Sequence, residues 1–428
     1  MIDPKLIEEQ PQFVQEALAK KGYSFDPSEL IGLFQKRRAL LKVVETSKAE
    51  QNKLTATVPQ VKKEGGDVQS IFAEVRRLAA ESKEAQAELT ETEDKIQKAI
   101  EVLPNLPDPD LVGGEKENNR PIYHFGEEPK FEGFVPKDHV ELAESLGLVD
   151  YKRAAKISGS GTWMYTGLGA RLEWALLNYF IASHLADGYT FILPPHLLNE
   201  KSGFTAGQFP KFKEDVFWLD GTEPRKFLLP TAETALVNIH RDEILSLDEL
   251  PKKYFAYTPC YRREAGSYRT EERGMIRGYQ FDKVEMVQYT TAEGSDAAFD
   301  ELVHKAQKLV EGLGLCYQVD KLAAGDCSAS MARTYDIEVF IPSMHIYKEA
   351  SSVSNARDYQ ARRGMIRYRD ENGKVRFCHT LNGSGLATSR ILPAILEQFQ
   401  QADGSVLIPE VLQPYMGGLK VLKPVAKK

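Results

Sequence analysis

The residue types best able to do chemistry include the arginines of a segment that runs from Cys260 to Glu285. Arg262 and Arg263 lie near its start, and a charged loop leads from them to Arg277. A guanidinium group can donate two parallel hydrogen bonds to a pair of phosphate oxygens, so the segment could bind phosphate. A solvated hairpin turn is the competing interpretation, and residue types alone favour it.

Two further segments suit a nucleotide. Glu349 and Ser352 stand three apart and could supply hard oxygen ligands to Mg²⁺ beside phosphates. Near the C-terminus, residues 379–390 are predicted to run from a strand through a glycine-bearing turn into a helix that begins near Ser384. That turn would suit close approach to a ligand, with Arg390 one to two turns into the helix, although a simple helix N-cap is the alternative.

Other designs for nucleotide and metal binding are excluded by their missing motifs. The sequence has no Gly-x-Gly-x-x-Gly and no glycine-rich loop followed by Lys-Ser/Thr. Its four cysteines are isolated, with no Cys-x-x-Cys pair, so no zinc is expected. Any nucleotide must therefore be held by another architecture.

Length and composition limit the class of protein. The 428 residues are 42% hydrophobic and 27% charged, enough for a buried core and at least two domains. The formal charge of −7 excludes a globally basic nucleic-acid binder but permits a local basic patch. The acidic first residues and the lack of a long apolar run predict a soluble cytoplasmic protein without membrane contact.

The elements that must position these residues begin with a helical arm at about 27–103, where aromatic residues almost vanish. Apolar residues recur there in alternating steps of three and four, which is the coiled-coil period. The turn at Gly65 and Gly66 predicts two helices that fold back as an antiparallel hairpin. The predicted packing seam comprises Leu30, Leu33, Arg37, Leu40, Val44, Ser47, Gln51, Leu54, Val58, Val61, Val68, Phe72, Val75, Ala79, Ser82, Gln86, Leu89, Glu93, Ile96, Ile100 and Leu103.

The first helix of this arm is basic and the second is acidic. Two solvated helices that attract each other would explain the pattern, and so would a basic stripe that faces phosphates. The candidate phosphate contacts are Lys36, Arg37, Arg38, Lys42, Lys48 and Lys53, of which Arg37 is on the predicted seam and could be structural.

A proline-rich connector at 103–109 marks a domain boundary. Beyond it, strand-like runs come in clusters without a regular βαβ rhythm, which favours a mixed, mainly antiparallel sheet with helices around it. The predicted class is α+β. The predicted domains are an N-terminal helical domain at 1–110 with its arm, a linker at 111–130 and a catalytic core at 131–428.

The order of the motifs resembles that of bacterial-type seryl-tRNA synthetases, which are class II aminoacyl-tRNA synthetases. The motifs are TAE at 231–233, RRE at 262–264, QFDKVE at 280–285, GDCSAS at 325–330, TYDIEV at 334–339, YKEASSVSN at 347–355, QARR at 360–363 and HTLNGSGLA at 379–387. The resemblance covers nearly the whole chain, including the arm and the connector.

The resemblance implies a homodimer with its interface at 188–195, and a two-step reaction. Serine and ATP would form seryl adenylate and pyrophosphate, and serine would then pass to tRNA(Ser), and to tRNA(Sec) where the host has one. The implied ATP site comprises Arg262, Arg263, Glu264, Arg277, Phe281, Glu349, Ala350, Ser351, Ser352 and Arg390, with Arg262 and Arg390 catalytic and Glu349 and Ser352 as Mg²⁺ ligands. The implied serine site comprises Thr231, Ala232, Glu233, Arg262, Glu285 and Ser384. The implied tRNA contacts are Lys36, Arg38, Lys42, Lys48 and Lys53.

Some positions depart from the family pattern. They are the motif 2 loop at 267–274, Gly278 with Tyr279, and Thr388 with Ser389. These departures concern the approach of the tRNA more than adenylate formation. A specialised duplicate that forms seryl adenylate and a non-catalytic tRNA-binding paralogue remain alternatives. A ligase that serves a carrier protein would lack the arm, and a zinc-dependent variant would need companions for Cys260 or Cys327.

Overall fold

The structure, a computed structural model, describes residues 1–264 and 274–425. The predicted departures at 267–273 of the motif 2 loop lie outside the described residues. The chain divides into two compact units. One comprises Ile2–Ala19 and Tyr23–Leu103, and the other comprises Met1, Lys20–Gly22 and Pro104–Lys428. Within the described ranges, no helix has both the length and the apolar character needed to cross a membrane.

The smaller unit is helical. Its helices are α1 (Pro4–Glu9), α2 (Pro11–Lys20), α3 (Ser28–Lys63) and α4 (Val68–Glu101). Asp67 begins α4, because its carboxylate accepts hydrogen bonds from the first backbone N–H groups of that helix. Lys36, near the start of α3, forms an ion pair with Glu88, in the second half of α4. The helices are therefore antiparallel, and the predicted hairpin is confirmed.

The contact row between α3 and α4 differs in part from the predicted seam. Burial confirms the positions Leu30, Val44, Ser47, Ser82, Leu89, Ile96 and Ile100. The prediction is wrong at Arg37, Phe72, Gln86 and Glu93, which are exposed. Side chains buried instead are Phe34, Leu78, Ala85 and Thr92.

The error has a physical cause. Two neighbouring heptad rows on α4 share Ser82, Leu89 and Ile96 and differ only at the positions between them. The observed row uses the small residues Ala85 and Thr92, which a pattern of large apolar residues does not reveal. Arg37 and Glu93 form an ion pair of 2.8 Å outside the contact row.

The larger unit is built on a mainly antiparallel sheet. Its strands are β1 (Arg120–Phe125), β2 (Thr190–Ile192), β3 (Leu197–Asn199), β4 (Trp218–Leu219), β5 (Lys226–Leu228), β6 (Ile244–Ser246), β7 (Lys252–Tyr261), β8 (Gln280–Thr290), β9 (Tyr317–Lys321), β10 (Arg333–Ile341), β11 (Ile346–Arg357), β12 (Arg367–Arg369), β13 (Val375–Phe377), β14 (His379–Ala387), β15 (Val406–Leu407) and β16 (Val421–Leu422). Within the described residues, the main sheet has the order β1-β9-β10-β11-β14-β8-β7-β2. The pair β2 and β7 is parallel, and the other neighbours in this sheet are antiparallel. The predicted α+β class with a mainly antiparallel sheet is confirmed.

Helices pack around this sheet. They are α5 (His139–Ser145), α6 (Tyr151–Ser158), α7 (Leu168–Ala186), α8 (Glu200–Thr205), α9 (Glu233–Leu236), α10 (Ser295–Gly312), α11 (Tyr359–Gly364) and α12 (Thr388–Gln398). Short 3₁₀ turns cover Lys116–Asn118, Leu247–Glu249, Pro342–Met344 and Glu410–Leu412. Strand β1 lies inside the stretch 111–130 that was predicted as a linker, and it pairs with β9 at the edge of the sheet.

The C-terminal motif is strand where a turn and a helix start were predicted. Strand β14 continues to Ala387, and α12 begins at Thr388, so the prediction of a helix from about Ser384 is wrong. The reason is that β14 pairs with β11 on one side and with β8 on the other. Gly385 is required by packing, because a Cβ there would lie 2.2 Å from Nε2 of His184.

Candidate active site

A cavity of about 600 Å³ opens among the central strands of the main sheet. Most of the predicted ATP and serine residues line it. They are Thr231, Glu233, Arg262, Glu264, Arg277, Phe281, Glu285, Glu349, Ala350, Ser351, Ser352, Ser384 and Arg390. Residues separated by up to 159 positions in the sequence therefore share one cavity.

Two predicted residues lie off the cavity wall. The Arg263 guanidinium donates to the Glu214 carbonyl at 2.9 Å, and its backbone N–H donates to the Asp215 carbonyl. Ala232 is fully buried in a hydrophobic cluster with Phe227 and Leu236. Both residues support the site through the packing of their neighbours.

One end of the cavity has closely spaced, buried polar groups. Lys283 Nζ donates to Thr231 Oγ1 at 2.8 Å and forms an ion pair with Glu285. Asn382 Nδ2 donates to the other oxygen of Glu285 at 3.1 Å. Ser384 lies directly across the strands from Glu285, and its buried hydroxyl has no hydrogen-bond partner among the described residues. This end can bind a small cationic group that also carries a hydroxyl.

A second carboxylate, Glu233, lies at the same end. Burial and then the charge of Glu285 raise the pKa of Glu233, which is about 7. A hydrogen bond from Gln360 and the charges of Lys283 and Arg262 oppose that rise. An ammonium ligand would favour the ionised carboxylate in the same way.

Three arginines also line the cavity. The Arg262 guanidinium lies 5.1 Å from the centre of the Phe281 ring, and its Nε donates to the Pro230 carbonyl at 3.2 Å. Arg277 Nη1 donates to Glu264 at 2.5 Å. Arg390 stands at the third position of α12 and also lines the cavity. These groups converge where an anion could bind.

The position of Arg390 depends on how α12 is fixed in the core. Glu397 of this helix is fully buried and accepts hydrogen bonds from the backbone N–H groups of His139 and Ser343. The Ser343 hydroxyl and the His139 ring bind the same carboxylate at 2.9 and 2.8 Å. Carboxylates with several such donors are strongly held.

A β-bulge explains how Glu349 and Ser352 come to share the cavity. Residues three apart on a regular strand point to opposite faces of the sheet. On β11, however, Ser351 pairs with Ile337 and Glu349 pairs with Glu338, so Ala350 is an extra residue. The bulge reverses the alternation and places Glu349 and Ser352 on the same face.

A third oxygen donor lies beside this pair. Asp336 pairs with Ser352 across the strands, and one of its buried oxygens lacks a hydrogen-bond partner among the described residues. Burial and then the charge of Glu349 raise the pKa of Asp336 well above its usual range. In the described part of the chain, no group of three or more His, Cys, Asp or Glu residues is arranged to hold a metal ion.

Three residues beside the carboxylates were not predicted from the sequence: Lys283, Gln360 and Asn382. Lys283 belongs to the quoted motif at 280–285, where it alternates with Phe281 and Glu285. The period of two on a strand places these three on one face, and this signal could have identified it. Gln360 and Asn382 lie in other quoted motifs, but only the strand and helix packing brings them to the carboxylates.

The predicted tRNA-binding residues on α3 fall into two groups. Lys36 pairs with Glu88 and Arg38 pairs with Glu8, each at about 2.7–2.8 Å. Lys42, Lys48 and Lys53 are exposed and form no ion pair with a described residue. The second group is therefore the more available for phosphate.

Comparisons with known proteins agree with this geometry. Residues 1–107 match the family described as the seryl-tRNA synthetase N-terminal domain, and residues 217–399 match the tRNA synthetase class II core domain (G, H, P, S and T). The serine–tRNA ligase 2 of Clostridium acetobutylicum is 57% identical over 422 residues, which cover 97% of this chain and 99% of that protein. The chain belongs to the seryl-tRNA synthetase family.

Further relatives extend the same result. The serine–tRNA ligase of Clostridium tetani is 44% identical, with 99% of this chain and all of that protein covered. The crystal structure of seryl-tRNA synthetase from Pyrococcus horikoshii complexed with ATP has a TM-score of 0.94 at 33% identity, with both chains fully covered. The predicted family and enzyme class, serine–tRNA ligase, are confirmed for this seryl-tRNA synthetase family member.

Proposed function

We propose that the cavity activates L-serine with ATP and that the enzyme then transfers serine to tRNA(Ser), and to tRNA(Sec) where one exists. The observation that carries the proposal is that one cavity holds two kinds of group. Buried carboxylates and the Ser384 hydroxyl, which has no partner among the described residues, line it together with arginines. Together they match an amino acid with a hydroxyl side chain joined to a nucleotide phosphate.

The serine end recognises the substrate by its polar groups. Glu233 and Glu285 attract the ammonium group with Thr231, while Glu285 and Ser384 receive the side-chain hydroxyl. Alanine lacks that hydroxyl and would leave buried polar groups unpaired, and sites of this type discriminate by about 10⁴–10⁵. Threonine and cysteine must be rejected by the shape of the pocket.

The first reaction joins serine to the α-phosphate of ATP. An oxygen of the serine carboxylate attacks the α-phosphorus of ATP, the bond from that phosphorus to the bridging oxygen breaks, and pyrophosphate leaves. Arg262 binds both the carboxylate and the α-phosphate and stabilises the developing charge. Arg277 and Arg390 hold the triphosphate tail. The carboxylate is already ionised at neutral pH, so this step requires no general base.

The base of ATP is assigned to two residues. Phe281 offers an aromatic face to adenine, and Glu264 can accept from its amino group. Arg262 lies over Phe281, and Arg277 pairs with Glu264. When ATP binds, its adenine would replace Arg262 on the Phe281 ring, and its phosphates would take the place of Glu264 as the partner of Arg277.

Glu349 and Ser352 are proposed to hold Mg²⁺ with the phosphates. Their oxygen donors suit this hard cation, and the bulge at Ala350 brings both to the cavity. When bound, Mg²⁺ would neutralise phosphate charge and make pyrophosphate a better leaving group.

The N-terminal region, 1–110, is proposed to bind tRNA, with 131–428 as the catalytic core and 111–130 between them. Double-stranded RNA is recognised mainly by its shape and backbone, which suits a basic helix surface. Lys42, Lys48 and Lys53 are the leading candidates, because Lys36 and Arg38 already have acidic partners.

We also assign a homodimer and a cytoplasmic location. Strand β2 is an edge strand of the main sheet and lies within the predicted interface at 188–195. Leu193, which follows it, is 74% exposed, and Trp174 and Leu185 on α7 are also exposed. A second subunit would cover such apolar side chains.

The decisive experiment is ATP–pyrophosphate exchange with each of the twenty amino acids, without tRNA. We expect exchange with serine alone, and no exchange with any amino acid would refute the proposal. Arg262→Ala should abolish exchange with the fold intact. Arg376→Ala, which removes a surface arginine paired with Glu293, is the matched control and should keep it.

Transfer to tRNA has its own test. Reversing the charge of Lys42, Lys48 and Lys53 to Glu should spare serine-dependent exchange but reduce kcat/KM for tRNA serylation at least about tenfold at low salt. The control reverses Lys83 and Lys98 on α4, and it should have little effect. An equal loss of kcat/KM in both variants would mean that Lys42, Lys48 and Lys53 do not contact tRNA.

A further inference from the structure

Gln360 is a buried amide that touches the proposed serine site from outside the cavity. It stands on the short helix α11 and is 2% exposed. Its Nε2 donates to Glu233 Oε1 at 2.8 Å and to the Ala206 carbonyl at 2.9 Å. Its Oε1 accepts from the Thr380 hydroxyl at 2.7 Å. Every polar atom of the amide therefore has a partner.

These partners permit only one orientation of the amide. The Ala206 carbonyl can only accept a hydrogen bond, so the NH₂ group must face it. The second N–H of the same nitrogen then points to Glu233, while the Thr380 hydroxyl satisfies the carbonyl oxygen. The flipped amide would place an oxygen against two acceptors, at a large cost in a buried site.

The fixed amide determines how Glu233 is presented. Because Oε1 of this carboxylate is held by Gln360, Oε2 is the oxygen left for a ligand. The backbone N–H of Glu233 also donates to Thr231 Oγ1 at 3.4 Å, at the start of α9. The charged groups that face Glu233 are Glu285, Lys283 and Arg262, and Gln360 adds a neutral donor that favours the ionised carboxylate.

We propose that Gln360, itself oriented by Thr380 and the Ala206 carbonyl, is a positioning residue that holds Glu233 ionised and aimed at the ammonium group of the amino acid. This inference rests on the proposed function, since it assigns serine to that end of the cavity. Gln360 touches neither substrate. Its loss should therefore affect serine and leave ATP binding unchanged.

The test is a set of isosteric variants in the full-length enzyme, measured by serine-dependent ATP–pyrophosphate exchange. A hydrogen bond to a charged group contributes enough for Gln360→Met to raise KM for serine by about ten- to a hundredfold. KM for ATP should stay within about twofold. The acid limb of kcat/KM for serine should move to higher pH, because Glu233 loses the donor that favours its ionised form.

Two controls separate positioning from a merely structural role. Gln398→Met removes another buried amide, which binds the Cys316 and Phe340 carbonyls away from the cavity, and should leave KM for serine unchanged. Thr380→Val should act in the same direction as Gln360→Met but less strongly. The double variant should be no worse than Gln360→Met alone, because the hydroxyl acts through the amide.

The outcomes are distinct. If the wild-type enzyme does not exchange with serine, the proposed function fails. If the wild type exchanges and Gln360→Met keeps its KM for serine and its pH profile, only the positioning role fails. If Gln360→Met does not fold, Thr380→Val decides, and an unchanged serine KM in that folded variant would overturn the inference.

Discussion

Replacing Lys283 with Met tests the charge balance of the site. The Lys283 ammonium pairs with Glu285, and the side chains are 10% and 1% exposed. A buried carboxylate that loses its cation is left uncompensated, which costs about 3–5 kcal/mol. We expect Lys283→Met to lower the free energy of unfolding by about that amount. This range of about 3–5 kcal/mol includes the loss of the hydrogen bond from Lys283 to Thr231.

Tryptophan fluorescence during urea unfolding can measure this loss selectively. All three tryptophans, Trp163, Trp174 and Trp218, belong to the larger unit, so the signal reports the unit that contains Lys283. The control is Lys201→Met, which removes an exposed ion pair with Asp242 in the same unit. Exposed pairs contribute little, so its unfolding midpoint should not change measurably.

A double variant shows whether the unpaired charge of Glu285 causes the loss of stability. Lys283→Met combined with Glu285→Gln removes both charges and should recover most of the lost stability, because a buried pair is close to neutral overall. It should not recover serine-dependent exchange, since Glu285 is proposed to bind the substrate. A loss below about 1 kcal/mol in Lys283→Met, or a double variant no more stable than the single one, would contradict the charge-balance argument.

Three further predictions follow from other parts of the structure. Leu78→Ala should destabilise the helical arm by about 2–4 kcal/mol, whereas Phe72→Ala should have a small effect, because Leu78 is buried and Phe72 is exposed. Thermal unfolding followed by far-ultraviolet circular dichroism measures both losses. A larger loss in Phe72→Ala than in Leu78→Ala would support the seam predicted from the sequence instead. The pKa of Glu233 is about 7, and only the ionised form attracts ammonium, so kcat/KM for serine should fall as pH decreases from about 8 to about 6. A flat profile would show that Glu233 does not bind the ammonium group. Glu397→Ala should lower the free energy of unfolding by at least about 3 kcal/mol, because it removes the acceptor of two buried His139 donors and two partly buried Ser343 donors. Urea unfolding that shows a loss of less than about 1 kcal/mol would contradict this.

Family, fold class and most of the cavity wall could be predicted from the sequence. The motifs at 231–233, 262–264 and 280–285 are local, and each places its residues on one short element. The order of these motifs along the chain was sufficient to indicate the seryl-tRNA synthetase family. The helical hairpin was equally accessible, because its period and its Gly65 turn are properties of neighbouring residues.

The errors arose where tertiary pairing decides between local alternatives. The glycines of β14 suggested a turn, yet pairing on both sides keeps the segment extended, and Gly385 makes room for His184. On α4, two possible contact rows share every second residue. Only packing against α3 selects the row that includes Leu78. Local propensity cannot resolve either choice, because both alternatives satisfy it.

The supporting residues were harder to predict than the residues of the cavity wall, and the reason is chemical. Glu233 and Glu285 stand out as carboxylates in recognisable motifs, but two buried acids need neighbours that stabilise their charge. Those neighbours differ in how the sequence reveals them. Lys283 lies on the same strand as Glu285, and Gln360 is 127 residues away from Glu233. A period of two along β8 predicts Lys283, whereas the place of Gln360 depends on how α11 packs against α8 and β14. Lys283 neutralises a buried charge, so we expect its substitution to lower stability most. Gln360 is a neutral donor to Glu233, so we expect its substitution to weaken serine recognition most.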